Sequence, residues 1–376
     1  MSASQNRIPV TIITGFLGAG KSSLLNRILK DPATSDTAVI INEFGEVGID
    51  NLLVESSGDT LVQLSNGCLC CTVRGELIDT LASLMDAMQT GRLTPIRRVV
   101  IETTGLADPA PVMQSVMGHP AMAQSFELDG VITVVDAVNG SSTLERHVEA
   151  VKQVAVADRL IVSKSGMATR QQLIDLHARL DRLNPRAVRM DADAPEAATA
   201  SVLQNGLYDP TTKIADVDRW LRDEMASSHH AHDHHHHHNH GHHHHHDVNR
   251  HGADIRSFSI LHDRPIDPAA IEMFVDLLRS AHGEKLLRMK AIVALSDNPD
   301  RPLVLHGVQS IFHPPQRLAA WPEGSDRRTR MVLITQDLPE EFVADLFAAF
   351  TGTPRVDRPD RAALEDNPLA VPGLRM

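Results

Sequence analysis

The sequence TIITGFLGAGKSSLL at residues 11–25 determines the expected fold of the first half of this chain. Within it, GFLGAGKS at residues 15–22 fits the phosphate-loop (P-loop) pattern G-x-x-x-x-G-K-[ST] at every position. An apolar, β-branched run precedes the pattern and an amphipathic stretch follows it, which is the strand–loop–helix context that such a loop requires. The stretch therefore predicts a site for the phosphates of a nucleotide, and the context argues against a chance glycine-rich turn.

Each residue type in this loop has a physical task. Glycines let backbone N–H groups curl around a polyphosphate without a clash from Cβ atoms. The positive end of the following helix lies under the phosphates. Lys21 would reach the β- and γ-phosphates, and the Ser22 hydroxyl would bind Mg²⁺.

Length and composition limit the class of protein. A chain of 376 residues that is 42% hydrophobic but only 3% aromatic allows two or three domains with aliphatic cores. The net charge of −12 argues against a nucleic-acid partner. No apolar run is long enough to cross a membrane, and the N-terminal MSASQNR has no cleavable signal pattern. We expect a cytoplasmic protein.

Apolar periodicity up to about residue 190 predicts alternating strands and helices. The predicted strands are 8–13, 38–41, 60–64, 98–101, 130–135, 160–162 and 187–190, and the predicted helices are 21–30, 76–89, 108–117 and 171–180. This alternation predicts an α/β fold with a doubly wound, mainly parallel sheet. Because ligands bind at the carboxyl ends of such strands, the loops at Gly15, Glu43, Glu102, Asp136 and Ser163 should converge on one site.

The second half of the chain has a different composition. Residues 229–251 hold 15 of the 22 histidines and no apolar periodicity, which predicts a disordered linker. From residue 254 onward, strands at 256–261, 286–295, 302–306, 308–312 and 330–335 and helices at 268–281 and 340–350 predict a smaller α+β domain. We place the P-loop domain at 1–205, the linker at 206–252, the C-terminal domain at 253–352 and a loose tail at 353–376.

Two features suggest transition-metal chemistry. The only cysteines, Cys68, Cys70 and Cys71, lie within four residues, and their thiolates would give two or three soft ligands to Zn²⁺ or Cu⁺. A fourth ligand must come from elsewhere, and such an open site suits a carrier because a structural zinc site is closed. Small buried cysteines or a redox role are the alternatives. The histidine-rich segment would bind Zn²⁺, Ni²⁺, Co²⁺ or Cu²⁺ through imidazoles, or it is a solvated linker without a metal role.

Four motifs in order, GFLGAGKSS, INEFGEVGID, NGCLCC and ETTGLADP, resemble the CobW-like metallochaperone GTPase family. The resemblance covers residues 8–200. It continues at 285–292, 306–309 and 321–322, which are similar to the family's small C-terminal domain. It implies a P-loop GTPase domain followed by a CobW-type domain, with GTP and Mg²⁺ as cofactors and Zn²⁺, or alternatively Co²⁺, as the bound metal.

The resemblance also implies roles for individual residues. The nucleotide-binding set is Gly15, Gly18, Ala19, Gly20, Lys21, Ser22, Ser23, Ser163 and Lys164. The expected catalytic residues are Lys21, Glu43, Glu102 and Gly105, with Glu43 and Glu46 in a first switch loop and Glu102 and Gly105 in a second. The expected metal ligands are Cys68, Cys70, Cys71, Glu46 and His119, with Ser22 on Mg²⁺. Plain surface roles for Glu43, Glu46 and His119 remain alternatives.

One departure from the family pattern concerns the base. The guanine-specifying motif [NS]-K-x-D reads Ser163-Lys164-Ser165-Gly166 here. The aspartate that would accept hydrogen bonds from guanine is replaced by Gly166, so the preference for GTP is weakened unless another residue substitutes. Lys164 can still stack along the base.

Together these features predict a GTPase that binds Zn²⁺ at the CxCC motif and transfers it to a client metalloprotein under nucleotide control. A metal buffer with weak nucleotide hydrolysis is one alternative. A cobalt or iron insertion factor for nitrile hydratase or the cobalamin pathway is another. An ATP-using kinase is a third, but the sequence shows no evident acceptor-substrate site. The sequence does not fix the oligomeric state, and a homodimer is among the expected assemblies.

Overall fold

The computed structural model describes residues 7–41, 61–63, 71–185, 187–204, 255–321 and 325–352, with the backbone alone at 61–63, 71–74 and 76. The predictions for Glu43, Glu46, Cys68, Cys70 and the histidine-rich segment therefore lie outside the described residues. None of the described helices combines the length and the apolar composition that crossing a membrane requires.

Seven strands form the sheet of the first domain. They are β1 (Ile8–Thr14), β2 (Thr37–Ile41), β3 (Leu61–Gln63), β4 (Arg98–Glu102), β5 (Phe126–Asp136), β6 (Arg159–Ser163) and β7 (Val188–Asp191). Their order is β3-β2-β4-β1-β5-β6-β7, and each pair of neighbours is parallel. The predicted mainly parallel sheet is confirmed, and the carboxyl ends of its strands share one edge.

Helices cover both faces of this sheet. They are α1 (Lys21–Ile28), α2 (Cys71–Gln89), α3 (Ala110–Gly118), α4 (Pro120–Ser125), α5 (Gly140–Arg146), α6 (Val148–Ala155) and α7 (Arg170–Leu183). Because successive strand residues point to opposite faces, Ile12 packs in one core cluster with Leu81 and Met113, while Ile13 packs in another with Leu25. Burial on both faces explains why the strands read as continuous apolar runs.

The second domain is an antiparallel sheet with two helices. Its elements are β8 (Ile255–His262), α8 (Pro268–His282), β9 (Leu286–Val293), β10 (Leu303–Val308), β11 (Ile311–Phe312), β12 (Gln316–Arg317), β13 (Thr329–Gln336) and α9 (Glu340–Phe350). The strand order is β11-β10-β9-β13-β8, with β12 paired to β10. Phe274 of α8 and Phe347 of α9 meet edge to face, with ring centroids 5.3 Å apart. This arrangement confirms the predicted α+β class.

Two strands differ from their predicted bounds for identifiable reasons. β5 begins at Phe126 and not at residue 130, because the charge of Asp129 inside the strand is balanced by Arg98, whose Nη1 lies 2.6 Å from Asp129 Oδ2. The predicted break between 302–306 and 308–312 is also wrong, because β10 runs through Gly307. A Cβ atom at Gly307 would lie 2.5 Å from ring atoms of Phe312, so the glycine makes room for that ring.

Candidate nucleotide site

The P-loop has the backbone shape that a phosphate cradle needs. Gly15, Gly18 and Gly20 all have positive φ angles, of 140°, 71° and 96°. At Gly15 the close packing on β5 adds a second constraint, since a Cβ atom there would lie 2.3 Å from the carbonyl oxygen of Val134. Helix α1 begins at Lys21, directly after the last of these glycines. The positive end of the helix therefore lies at the loop, as anion binding requires.

The polar side chains at the start of α1 face the end of β4. Ser22 Oγ donates to Glu102 Oε1 at 2.7 Å, and Glu102 is only 5% exposed. Lys21 is also buried, with Nζ 3.5 Å from the carbonyl oxygen of Phe16. A hydroxyl and a carboxylate side by side are the hard oxygen donors that Mg²⁺ prefers, so these two residues fit that ion. Ser23 is exposed on the first turn of α1.

The segment after Glu102 lies directly against the P-loop. The backbone N–H of Thr103 donates to the carbonyl oxygen of Ile13 at 3.0 Å, and its hydroxyl donates to Thr14 Oγ1 at 2.8 Å. A Cβ atom at Gly105 would lie 2.5 Å from the backbone nitrogen of Leu17. Only glycine allows this approach, so Gly105 brings the predicted second switch loop into contact with the phosphate loop.

The residues predicted for the base side fix the other flank of the P-loop. Ser163 Oγ donates to the carbonyl oxygen of Ala19 at 2.6 Å. Lys164, with a φ of 58°, donates from Nζ to the carbonyl oxygen of Gly18 at 2.8 Å and to Asp136 Oδ2 at 2.7 Å. The structure therefore brings Ser163 and Lys164 to the loop as predicted.

Asp136 is held as a carboxylate in this arrangement. Partial burial would raise the pKa of Asp136, but hydrogen bonds from Lys164, Asn139 and the Val138 backbone lower it below its ordinary value. The rule that ligands bind at strand carboxyl ends predicted the position of Asp136. Its role as the anchor of Lys164 was missed, because no local motif marks it.

Gly166 lies beside these residues and faces open space. The residue is exposed, and a Cβ atom built on it would meet nothing within 4 Å. The glycine therefore does not make room for packing, and the position would accept an aspartate without a clash.

Gln153 of α6 is a residue of the site that sequence reasoning missed. Its side chain is 1% exposed, and Nε2 donates to the carbonyl oxygens of Gly105 at 3.2 Å and Ala107 at 3.0 Å. It thereby holds the loop that follows Glu102. A glutamine in a helix carries no motif, so only the fold reveals this contact.

The predicted metal ligands are only partly described. Cys71 is the first residue of α2, and because α2 leads back to the start of β4, its first turn lies at the nucleotide edge of the sheet. His119 directly follows α3, which leaves that edge and ends near the start of β5. The topology therefore separates His119 from the P-loop. Among the residues that the structure describes, no group of three or more His, Cys, Asp or Glu side chains is placed to hold a metal.

The fold and the site define a P-loop nucleotide-binding protein of the α/β class. The chain belongs to the CobW/HypB/UreG family. The family's nucleotide-binding domain matches residues 9–190, and the cobalamin synthesis protein CobW C-terminal domain matches residues 255–351. The resemblance deduced from the four motifs is thereby confirmed.

Similar proteins match along nearly the whole chain. The zinc chaperone YjiA of Escherichia coli (strain K12) is 34% identical over 346 residues, which cover 91% of this chain and 98% of that protein. The zinc chaperone CobW of Pseudomonas aeruginosa is 30% identical over 373 residues, covering 90% of each. A crystal structure of Zn(II)-bound YjiA GTPase from E. coli gives a TM-score of 0.62 at 29% identity, covering 92% of this chain and 99% of that one.

Proposed function

We propose that this chain is a GTP-hydrolysing metallochaperone that binds Zn²⁺ and transfers it to a client protein under nucleotide control. The contact between Ser22 and Glu102 carries the proposal, because it joins the phosphate loop to the second switch loop through two oxygen donors suited to Mg²⁺. Both full-length relatives are named zinc chaperones, and the similar crystal structure is of a zinc-bound GTPase.

The residues of the site divide the work of hydrolysis. Lys21 and the backbone N–H groups of the P-loop neutralise the phosphates. Ser22 and Glu102 would hold Mg²⁺, which would neutralise charge on the phosphates. The backbone at Gly105, which lies against the P-loop at Leu17, would respond to the loss of the γ-phosphate. By the family resemblance, Glu43 of the first switch loop would also act at this site.

The metal site is built on the thiolates of the CxCC motif. Cys71, whose backbone begins α2, is one of the proposed sulfur ligands. Cys68 and Cys70 supply the other sulfur ligands, and Glu46 of the first switch loop supplies an oxygen. Because the family resemblance assigns Glu46 to a switch loop, GTP binding would alter the ligand set. We leave His119 out of this set because it follows α3 at the opposite edge of the sheet.

The client would be a cytoplasmic metalloprotein that requires zinc. The histidine-rich segment would supply further imidazole ligands and so concentrate metal on this protein. Zn²⁺ is preferred over Co²⁺ because thiolate ligands are soft. The protein acts as a monomer or as a homodimer.

Turnover tests the first half of this proposal. We expect Mg²⁺-dependent release of phosphate from GTP, and Lys21→Ala should lower kcat/KM by about a hundredfold or more because it removes a charge at the transferred phosphate. The matched control is Lys30→Ala, an exposed lysine just beyond the other end of α1. Equal turnover by wild type and Lys21→Ala would show that the P-loop is not a hydrolytic site.

Linkage between metal and nucleotide tests the second half. The Kd for Zn²⁺, measured by competition with a chromophoric chelator, should differ between the GDP form and the form with a non-hydrolysable GTP analogue by about 5- to 150-fold. The difference should vanish when Cys68, Cys70 and Cys71 are replaced by serine, and it should persist after deletion of residues 229–246. Equal zinc affinity in both nucleotide forms would refute nucleotide control.

A further inference from the structure

The short helix α6 touches three functional parts of the molecule. It contains eight residues, Val148–Ala155, and is about 12 Å long. The residue before the helix contacts the P-loop, and one side of the helix contacts the second switch loop. The chain just after the helix contacts the C-terminal domain. No motif marks it.

The start of α6 lies against the P-loop. The ring of His147, the residue before the helix, packs on Phe16 with centroids 4.4 Å apart. A cavity of about 240 Å³ separates the P-loop from Ala150, Gln153 and Val154. This cavity lies between the helix and the phosphate loop.

One side of α6 holds the loop that follows Glu102. Buried Gln153 donates to the carbonyl oxygens of Gly105 and Ala107. The neighbouring Lys152 places Nζ 2.9 Å from Asp108 Oδ2. Three successive parts of the loop are thus fixed to two adjacent residues of the helix.

The chain just after α6 is fixed to the C-terminal domain. Arg288 of β9 donates to the carbonyl oxygen of Val156 and lies 2.5 Å from Asp158 Oδ1. Lys290 of the same strand contacts that oxygen as well. The Asp158 and Arg288 side chains are 7% and 5% exposed, so their charges interact with little screening by water.

The end of α6 is also held to its neighbours by hydrogen bonds. Asn184 Nδ2 donates to the carbonyl oxygens of Val154, Ala155 and Ala157. Asp158 Oδ2 accepts from the backbone N–H of Val131 at 2.9 Å. A continuous series of hydrogen bonds and ion pairs therefore joins β9 to the helix that carries Gln153.

We propose that α6 is a positioning element for GTP hydrolysis and that the C-terminal domain sets its position through Arg288 and Lys290. Gln153 is the positioning residue, because it fixes the backbone at Gly105, which lies directly against the P-loop at Leu17. A partner that binds the C-terminal domain would then alter turnover at the nucleotide site, and by reciprocity the bound nucleotide would alter β9. This inference rests on the proposed GTPase function.

A double-mutant cycle on the full chain tests this coupling. We expect Gln153→Met to lower kcat by about tenfold and to change the KM for GTP by less than about twofold, because it removes two hydrogen bonds from the loop and none from the nucleotide. Lys290→Met should lower kcat by about three- to tenfold. If Lys290 acts through α6, the double variant should be no slower than Gln153→Met alone.

Controls separate coupling from loss of structure. Arg317→Met removes a cation that pairs with Asp297 elsewhere in the same domain, and it should leave kcat within about twofold of wild type. Lys152→Met, at a partly exposed ion pair, gives a second cycle with Lys290 if Gln153→Met does not fold. Hydrogen exchange of β9 amides should differ between the GDP form and the GTP-analogue form in wild type and lose that difference in the α6 variant.

The outcomes distinguish this inference from the proposed function. If the two substitutions lower kcat by independent, multiplicative factors, the role of α6 is wrong. The same holds if hydrogen exchange of the β9 amides is equal in the two nucleotide forms. In either case, GTP turnover by the wild type would still support the proposed GTPase function. A wild type without GTP turnover would overturn both. A double variant no slower than Gln153→Met, together with β9 hydrogen exchange that depends on the nucleotide, would support both the role of α6 and the proposed function.

Discussion

Restoring the missing carboxylate at Gly166 should restore a preference for guanine. The position lies next to Ser163 and Lys164. Ser163 donates a hydrogen bond to the carbonyl oxygen of Ala19, and Lys164 donates one to that of Gly18, both on the flank of the P-loop. A Cβ atom there meets nothing within 4 Å, so Gly166→Asp adds its side chain without displacing a neighbour. The new carboxylate would accept hydrogen bonds from N1–H and the 2-amino group of guanine, which adenine does not offer in that pattern.

The expected magnitude follows from the exposure of the site. A hydrogen bond to a charged group contributes about 1.5–3 kcal/mol. Because residue 166 is exposed, water screens the new hydrogen bonds. We therefore expect the two bonds to guanine to contribute about 1.5–3 kcal/mol together to the binding free energy. This corresponds to a rise of about 10- to 150-fold in the preference for GTP over ATP.

Fluorescent GTP and ATP analogues titrated into both proteins would measure the two Kd values. Gly166→Asn is the matched control, since it has similar volume but no charge, and its preference should change by less than about threefold. If Gly166→Asp leaves the ratio of ATP to GTP Kd values within about twofold of wild type, the base does not lie beside residue 166. Strong guanine selectivity in wild type would show that another group already supplies it.

Three further predictions concern stability. Gly15→Ala puts a methyl group 2.3 Å from the Val134 carbonyl oxygen at a residue with a φ of 140°. Urea titration should show that the free energy of unfolding falls by about 2–4 kcal/mol, and an unchanged midpoint would contradict this. Burial lowers the pKa of His313 to about 4, so its folded form takes up a proton less readily than the unfolded chain. Stability should therefore fall by about 1.4 kcal/mol per pH unit as pH drops from about 6.5 towards 4, a slope that His313→Gln should reduce in melting experiments. Burial would raise the pKa of Asp158, but the two cations of β9 hold it well below its ordinary range. Asp158→Asn should therefore lower the free energy of unfolding by about 3–5 kcal/mol, whereas Asp297→Asn, at an exposed ion pair, should have a much smaller effect.

The parts of the fold that sequence predicts are those with local causes. The P-loop is recognisable because its glycines, lysine and serine are consecutive and because a buried strand must precede them. The carboxyl-end rule then places Glu102, Asp136 and Ser163 at the same edge as Gly15, although they are far apart in sequence. Topology supplies this convergence without any knowledge of side-chain contacts.

The parts that sequence does not predict depend on distant partners. Helices α5 and α6 were not predicted, because their short apolar patterns gain stability only from packing on β5, β6 and α7. Sequence did not predict the first part of β5, because Asp129 and Gly130 are typical of turns. The ion pair between Asp129 and Arg98, which allows Asp129 inside the strand, is known only once the strands are aligned. Gly307 reads as a break, yet it lies within β10 because Phe312 fills its space.

The site performs three tasks, and these differ in how well the sequence predicts the residues that perform them. Phosphate binding depends on backbone conformation at consecutive glycines, so a local motif reports it. Base choice depends on one side chain at a fixed position, so the change to Gly166 is visible but its consequence needs the open space that the structure shows. Loop positioning depends on Gln153, 48 residues from Gly105, and on an ion pair between domains at Asp158 and Arg288. Under the proposed function, the nucleotide state must be communicated beyond the phosphates, and residues of this third kind are the ones that we propose for that task. Variants that alter kcat while sparing nucleotide binding should therefore concentrate on α6 and β9 and not in the P-loop.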